Sequence, residues 1–239
     1  MCVRDVRCCC WSRDCAFGQD IDEILDGSHY YEPQTKMEHV ILPEEQKQDI
    51  LTSIKTFSAF KQHRKEASTA DDRDMLKAMV LMFCGPPGTG KTMMVNAAVN
   101  WLGKKVLLVD MQKLSKSRDS SERSAIAELF QEAELSDAVL FFDECEAVFR
   151  ERGTVLNTLL TSIERFSGLV FLATNKPLDI DEAMHRRISK VYMFAAPNSQ
   201  QRLQLWQSLT AAGLKFHSEV DLFRISLQCV PPLALLHST

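Results

Sequence analysis

Three glycines, a lysine and two threonines fall within eight consecutive residues, Gly85-Pro86-Pro87-Gly88-Thr89-Gly90-Lys91-Thr92. Glycines let successive backbone N–H groups turn inward around an anion, and a helix opening at the last of them adds the favourable end of its dipole. A lysine in that place can reach the β- and γ-phosphates of a nucleotide, and the hydroxyl after it can ligate Mg²⁺. On this reading Gly85, Pro86, Pro87, Gly88, Thr89, Gly90, Lys91 and Thr92 cradle phosphate. The competing reading is a Gly-Pro turn without a ligand. It fits the context less well, because an apolar run leads into the loop and a helical pattern leads out of it.

A second group of candidate residues follows the apolar run Val139-Leu140-Phe141-Phe142, which ends in Asp143-Glu144. A carboxylate at the end of a strand suits a water-mediated Mg²⁺ contact, here Asp143, and its neighbour Glu144 suits polarising an attacking water. The two could instead cap the next helix; the glycine-rich loop upstream is what favours the chemistry. Glu146 reads as peripheral. Another run, Leu169–Ala173, ends at Thr174-Asn175. Ligands of open α/β sheets bind at such carboxyl edges, so Asn175 could orient a water or contact a γ-phosphate. It could also belong to a plain Asn-Lys-Pro turn. Arg186 and Arg187, taken alone, are a surface charge pair.

These residues need a scaffold, and the apolar runs supply one. Met79–Cys84, Val106–Val109, Ala138–Phe142, Leu169–Ala173 and Val191–Phe194 read as five strands, the middle ones apolar on both faces. Between them lie the helical patterns Thr92–Leu102, Glu122–Leu135 and Val155–Phe166. Doubly buried strands separated by helices make a parallel α/β sheet with helices on both faces. Upstream, Ile41, Ile50, Ile54 and Phe57 keep helical spacing behind Pro43, while Lys61 to Lys77 is a solvated helix face or loop. Downstream, Asn198 and Gln201 form a capping box for a helix through Leu209. Beyond Leu222 no helical continuation is expected, because Pro231 and Pro232 forbid one. The expected organisation is an irregular Cys-rich leader at 1–36, a nucleotide-binding domain at 37–197, and a partial helical lid with a Pro-containing tail at 198–239.

The 239 residues are 45% hydrophobic and 25% charged with a formal net charge of −4, which argues against a general polyanion-binding surface. No apolar run reaches bilayer length, and Met1 to Cys15 lacks the apolar block of a secretory signal, so the cytoplasm or nucleus is expected. Cys2, Cys8, Cys9, Cys10 and Cys15 crowd the start without the paired spacing of a zinc site. Disorder is the favoured reading there, with palmitoylation open. Cys84, Cys145 and Cys229 read as small core residues.

Taken together, Gly85–Thr92, Phe141–Glu144 and Ala173-Thr174-Asn175-Lys176-Pro177 resemble the Walker A, Walker B and sensor-1 segments of the AAA clade of AAA+ ATPases. The segment Asp181-Glu182-Ala183-Met184-His185-Arg186-Arg187-Ile188 resembles the arginine-finger region of katanin, spastin and the ESCRT-disassembly ATPases. The resemblance runs from about His39 to Leu209 and implies a P-loop NTPase fold with a five-stranded parallel sheet. It implies ATP and Mg²⁺ as ligands and hydrolysis as the activity. It also implies a ring of identical subunits, a hexamer, remodelling a protein partner. By this likeness Asn175 is the sensor, and Arg186 and Arg187 act on the neighbouring subunit's nucleotide. Where the family's pore loop carries an aromatic residue, this chain has Ser115-Lys116-Ser117-Arg118-Asp119-Ser120-Ser121. No sensor-2 arginine or substrate-recruitment domain is matched, and the unusual ends give the expectation of a truncated or altered chain. Two other functions stay open at this point: a nucleotide-binding switch without turnover, and a nucleic-acid-directed ATPase, which the acidic balance disfavours.

Overall fold

The computed structural model describes residues 28–67, 77–110, 122–146, 154–176, 182–211 and 221–227. A six-stranded sheet organises them. In chain order its strands are β1 (Ser28–Tyr31), β2 (Met79–Cys84), β3 (Val106–Asp110), β4 (Val139–Asp143), β5 (Leu169–Thr174) and β6 (Lys190–Met193). Across the sheet the order is β1-β3-β4-β5-β2-β6. All neighbouring pairs are parallel except β1 with β3.

The apolar runs become strands because both faces of the sheet are covered. Along β2, Val80, Met82 and Cys84 point into one core while Leu81 and Phe83 point into the other; β4 and β5 divide in the same way. On the first face lie α3 (Glu122–Leu135) and α4 (Thr154–Arg165), which contribute Ile126, Leu129 and Phe130, then Leu159 and Ile163. On the second lie α1 (Glu44–Ala67) and α2 (Lys91–Trp101), with Ile50, Ile54, Met94, Val95 and Val99. Burying each large side chain of this kind is worth about 1.5–3 kcal/mol, so the two cores supply most of the driving force for this arrangement.

Three features differ from the sequence reading. The sheet has a sixth strand, β1, which lies inside the span read as irregular leader. Its residues Ser28 to Tyr31 pair antiparallel with Val109 to Val106. Tyr31 explains why it docks: the ring is buried in the second core and its hydroxyl donates to Asn96 Oδ1 on α2 at 2.6 Å. Second, α1 continues through Lys61 to Ala67, a stretch for which a loop was also open. Third, chain beyond Leu222 does form helix: α7 (Leu222–Leu227) packs on α6 (Ser199–Ala211). Asp221 caps it through Phe223 N at 2.9 Å, and Arg202 Nε donates to Ser226 O at 2.8 Å at its other end. The expected capping box of α6 is present in both directions: Asn198 N donates to Gln201 Oε1 and Gln201 N to Asn198 Oδ1, each at 2.9 Å.

The N-terminal cysteines, the 115–121 run and Cys229 lie outside the described residues. Cys84 and Cys145 are buried, as expected of core cysteines.

Candidate active site

The loop 85–90 leaves β2 between two neighbours that fix its direction. Gly85 N donates to Thr174 O at 3.2 Å on β5, and Phe194 N donates to Cys84 O at 2.7 Å beyond β6. A Cβ on Gly85 would stand 2.1 Å from Phe194 O, so only glycine fits. Below the loop, Phe83 meets Phe171 at 5.3 Å, Tyr192 at 5.8 Å and Phe194 at 4.8 Å between ring centroids. Such pairs add about 0.5–1.5 kcal/mol each beyond area burial and make a stiff footing for the loop.

The chain then turns into α2 through Gly90, whose φ of 93° and ψ of 13° are left-handed. A Cβ on Gly88 or Gly90 would meet nothing within 4 Å, so open space lies beside both glycines, while their positive φ of 76° and 93° favours residues without a side chain. Lys91 folds back across the loop: Nζ donates to Gly85 O at 2.8 Å, Pro86 O at 2.9 Å and Asn175 Oδ1 at 2.8 Å. Thr89 Oγ1 donates to Pro86 O at 2.9 Å and braces the same turn. Burial pushes the Lys91 ammonium below the ordinary lysine pKa, against the opposing pull of the Asp143 and Glu146 carboxylates.

Asp143 ends β4 level with this loop, and the Thr92 hydroxyl donates to its Oδ2 at 3.4 Å. Those two oxygens are the hard, oxygen-only donors that Mg²⁺ prefers. Glu144 follows with φ of 52°, left-handed backbone in a non-glycine residue, and its N–H donates to Asp143 Oδ1 at 3.0 Å. Strained backbone of this kind persists only where the surroundings hold it. Here the hold comes from the next residue: Cys145 N and Sγ both donate to Ala173 O, at 3.0 and 2.9 Å. Burial raises the pKa of this thiol well above the usual value.

Glu146 is the residue the sequence reading undervalued. It is not peripheral: Thr174 Oγ1 donates to its Oε2 at 3.0 Å, and Asn175 Nδ2 to its Oε1 at 3.4 Å. Nothing in the local sequence marks it, since its partners lie on the next strand.

Arg186 and Arg187 lie apart from this group. Ser189 N donates to Val80 O at 2.8 Å and Val80 N to Ser189 Oγ at 3.1 Å, which ties the segment to the start of β2. From Val80 to Gly85 is five residues of strand, about 17 Å at 3.3 Å per residue, so neither arginine meets its own chain's phosphate loop. The two also differ from each other. Arg186 is 74% exposed and donates to Glu182 Oε1 at 2.8 Å, one turn back along α5 (Glu182–His185). Arg187 is 25% exposed and is held by Glu164 on α4 and by Ala183 O. Among the described residues no helix is long and apolar enough to cross a membrane.

Comparison with known proteins agrees with this geometry. Residues 81–196 match the model of the ATPase family associated with various cellular activities (AAA). The chain is 34% identical over 158 residues to the ribosome biogenesis ATPase RIX7 of Saccharomyces cerevisiae, covering 59% of this chain and 19% of that protein. It is 32% identical over 158 residues to the ATPase family gene 2 protein homolog B of Homo sapiens, covering 59% of this chain and 21% of that one. The chain thus spans about a fifth of the length of each of these two curated relatives. A katanin structure concerned with self-assembly aligns at TM-score 0.64 with 23% identity, over 82% of this chain and 66% of that one. The FIGL-1 AAA domain aligns at 0.65 with 22% identity, over 82% and 67%. At that identity the two structures speak for the fold alone.

Proposed function

We propose, for a chain that belongs to the AAA clade of the AAA+ ATPases, that it binds ATP with Mg²⁺, hydrolyses it, and works as a ring of its own copies on a protein partner. One observation carries the hydrolytic part. Lys91, Thr92, Asp143, Glu144 and Asn175 lie at or just beyond the carboxyl ends of β2, β4 and β5, with Lys91 and Thr92 opening α2, and the Lys91–Asn175 and Thr92–Asp143 contacts join them.

The residues fit the ligands. Backbone N–H groups of Gly88, Thr89 and Gly90, on a turn shaped by Gly85, Pro86 and Pro87, would hold the phosphates together with the Lys91 ammonium; Thr92 and Asp143 would hold Mg²⁺. The metal supplies charge neutralisation on the phosphate oxygens. Glu144 accepts the proton of the attacking water as general base, and the Asn175 amide orients that water. Because Arg186 and Arg187 stand at the opposite edge, they act in this reading on the nucleotide of a neighbouring copy, where a guanidinium offsets charge on the transferring group. The self-assembly named for the katanin structure is in keeping with a ring of copies, and the hexamer is proposed from the resemblance of the sequence motifs to the AAA clade. The partner is left as an unidentified protein. Cytoplasm or nucleus is the assigned compartment, supported by the ribosome-biogenesis role in the name of RIX7. The domain spans 37–197 and 198–239 are kept as nucleotide-binding body and partial lid, with β1 now joined to the body.

Specific ATPase activity measured across a protein dilution series tests this directly. It should fall as subunits separate. Arg186→Ala/Arg187→Ala and Lys91→Ala should each be inactive, yet regain turnover when mixed, because each supplies the half-site the other lacks. Activity per subunit that stays flat on dilution, with no rescue on mixing, would defeat the trans arrangement. A wild-type protein that binds ATP without turnover at any concentration would be a nucleotide-binding switch instead.

A further inference from the structure

We propose that Glu146 is a positioning residue for hydrolysis: it sets which end of the Asn175 amide faces the phosphate loop. The proposal rests on the ATPase reading above and adds a residue that reading does not use.

An ammonium group can only donate hydrogen bonds, and an ionised carboxylate can only accept them. Asn175 lies between one of each. Its Oδ1 accepts from Lys91 Nζ at 2.8 Å, and its Nδ2 donates to Glu146 Oε1 at 3.4 Å. The chemistry of these two neighbours therefore determines the amide orientation, and a flip would turn both contacts repulsive. Glu146 is itself held. Its Oε2 accepts from the Thr174 hydroxyl at 3.0 Å and from Asn175 N at 3.4 Å, while Lys176 N donates to that hydroxyl at 3.0 Å. One residue earlier, Cys145 grips Ala173 O through both its N–H and its thiol. The turn after β4 is thus fastened to the end of β5 at three successive residues, Ala173, Thr174 and Asn175.

That fastening joins two candidate catalytic groups. Glu144, the general base, sits directly before Cys145 in left-handed backbone; Asn175, the water-orienting amide, sits at the far end of the same set of bonds. Glu146 presents the oxygen of Asn175 to the loop, and an oxygen is what accepts the O–H of a water. If Glu146 served only to close the turn, its bond to Thr174 would be enough and the amide contact would have no role.

Glu146→Gln is the informative change. It is nearly isosteric, but it places an NH₂ against either the Asn175 Nδ2 or the Asn175 backbone N–H, and either arrangement loses an acceptor. Wild type, Glu146→Gln, Asn175→Ala and the double variant are compared for kcat, KM and affinity for a fluorescent ATP analogue. In nucleotide-free protein, the side-chain amide NMR pair of Asn175 is followed, assigned by its loss in Asn175→Ala. Expected is a fall in kcat of about 10- to 100-fold in Glu146→Gln, the size of a small misplacement of a reacting group. KM and affinity should stay within about twofold, since the phosphates are held elsewhere. The Asn175 amide pair should shift and exchange faster with solvent. In the Asn175→Ala background the same change should have no further effect, because residues that act through one another do not add. Glu146→Asp keeps the charge and should fall between. A wild-type kcat in Glu146→Gln, or equal losses in both backgrounds, would overturn the proposal. A wild-type protein without turnover would defeat the ATPase reading instead. The amide pair would still decide whether Glu146 holds Asn175, and an unchanged pair in Glu146→Gln would refute that.

Discussion

Gly85→Ala should unfold the phosphate loop's footing rather than merely weaken phosphate contact. The added Cβ would lie 2.1 Å from Phe194 O and 3.0 Å from Phe194 C and Cβ, whereas ordinary contact begins near 3.4 Å. Something must therefore move by roughly 1.3 Å, and what stands in the way is backbone. Phe194 cannot retreat freely: its N–H is bonded to Cys84 O at 2.7 Å, and its ring is 1% exposed and 4.8 Å from Phe83. Overpacking of this kind costs about 1–3 kcal/mol, and weakening the Phe194–Cys84 bond adds about 1 kcal/mol. The sum, about 2–4 kcal/mol, corresponds to a Tm drop of about 5–15 °C for a protein of this size. Gly88→Ala is the control. Its φ of 76° disfavours a side chain, but nothing lies within 4 Å, so the loss should be about 1–2 kcal/mol. Urea unfolding followed by far-UV circular dichroism at constant m-value gives both numbers. A Gly85→Ala protein with the wild-type midpoint, or one less affected than Gly88→Ala, would refute the argument that close approach to Phe194 selects this glycine.

Glu144→Gln should retain binding of a fluorescent ATP analogue while kcat falls at least about 100-fold, the usual reach of a general base; a wild-type rate would assign the proton transfer elsewhere. Arg187→Ala should lower stability by about 1–2 kcal/mol, because it removes charged hydrogen bonds to Glu164 and Ala183 O that hold α5 on α4. Arg186→Ala, whose side chain is 74% exposed, should leave the Tm within about 2 °C, and thermal melts of the two variants side by side would expose the error if they matched. Asn198→Ala removes one arm of the capping box and should cost about 1 kcal/mol, read as a drop of about 2–4 °C in Tm; no change would mean that the α6 terminus frays in solution.

What could be read from the sequence was whatever a short window of residues determines. β2, β4 and β5 stood out because burial on both faces demands unbroken apolar runs. The phosphate loop and the Asp143-Glu144 pair stood out because each packs its chemistry into adjacent residues. β1 did not. It has four residues, and it docks through Tyr31 bonding to Asn96, sixty-five positions along the chain. Glu146 was misjudged for the same reason, since its meaning lies in Thr174 and Asn175, nearly thirty positions on. Arg186 and Arg187 are indistinguishable as letters. Glu164, from a helix on the other side of β5 in the sequence, separates them into one exposed and one anchored arginine. The short helix α7 differs from these: its cap, Asp221, is local, and Pro231 and Pro232 forbid helix only beyond Leu227.

The β2–β6 pair gives these separate observations a common frame. One end of β2 opens into the phosphate loop; the other is bonded to Ser189, two residues after Arg187. Between the ends, Phe83, Phe171, Tyr192 and Phe194 fill the space with tilted and edge-on ring contacts, and all four are buried. A core packed at this density does not stretch, so the separation between a chain's phosphate loop and its own arginines is fixed by the packing rather than by a hinge. In a ring of identical copies, that fixed separation would govern where each copy's arginines meet the next copy's nucleotide. A mutation that loosens the aromatic footing, such as Phe83→Leu, should then reduce trans catalysis more than it reduces ATP binding. Equal losses in kcat and in affinity would show instead that the footing serves the loop alone.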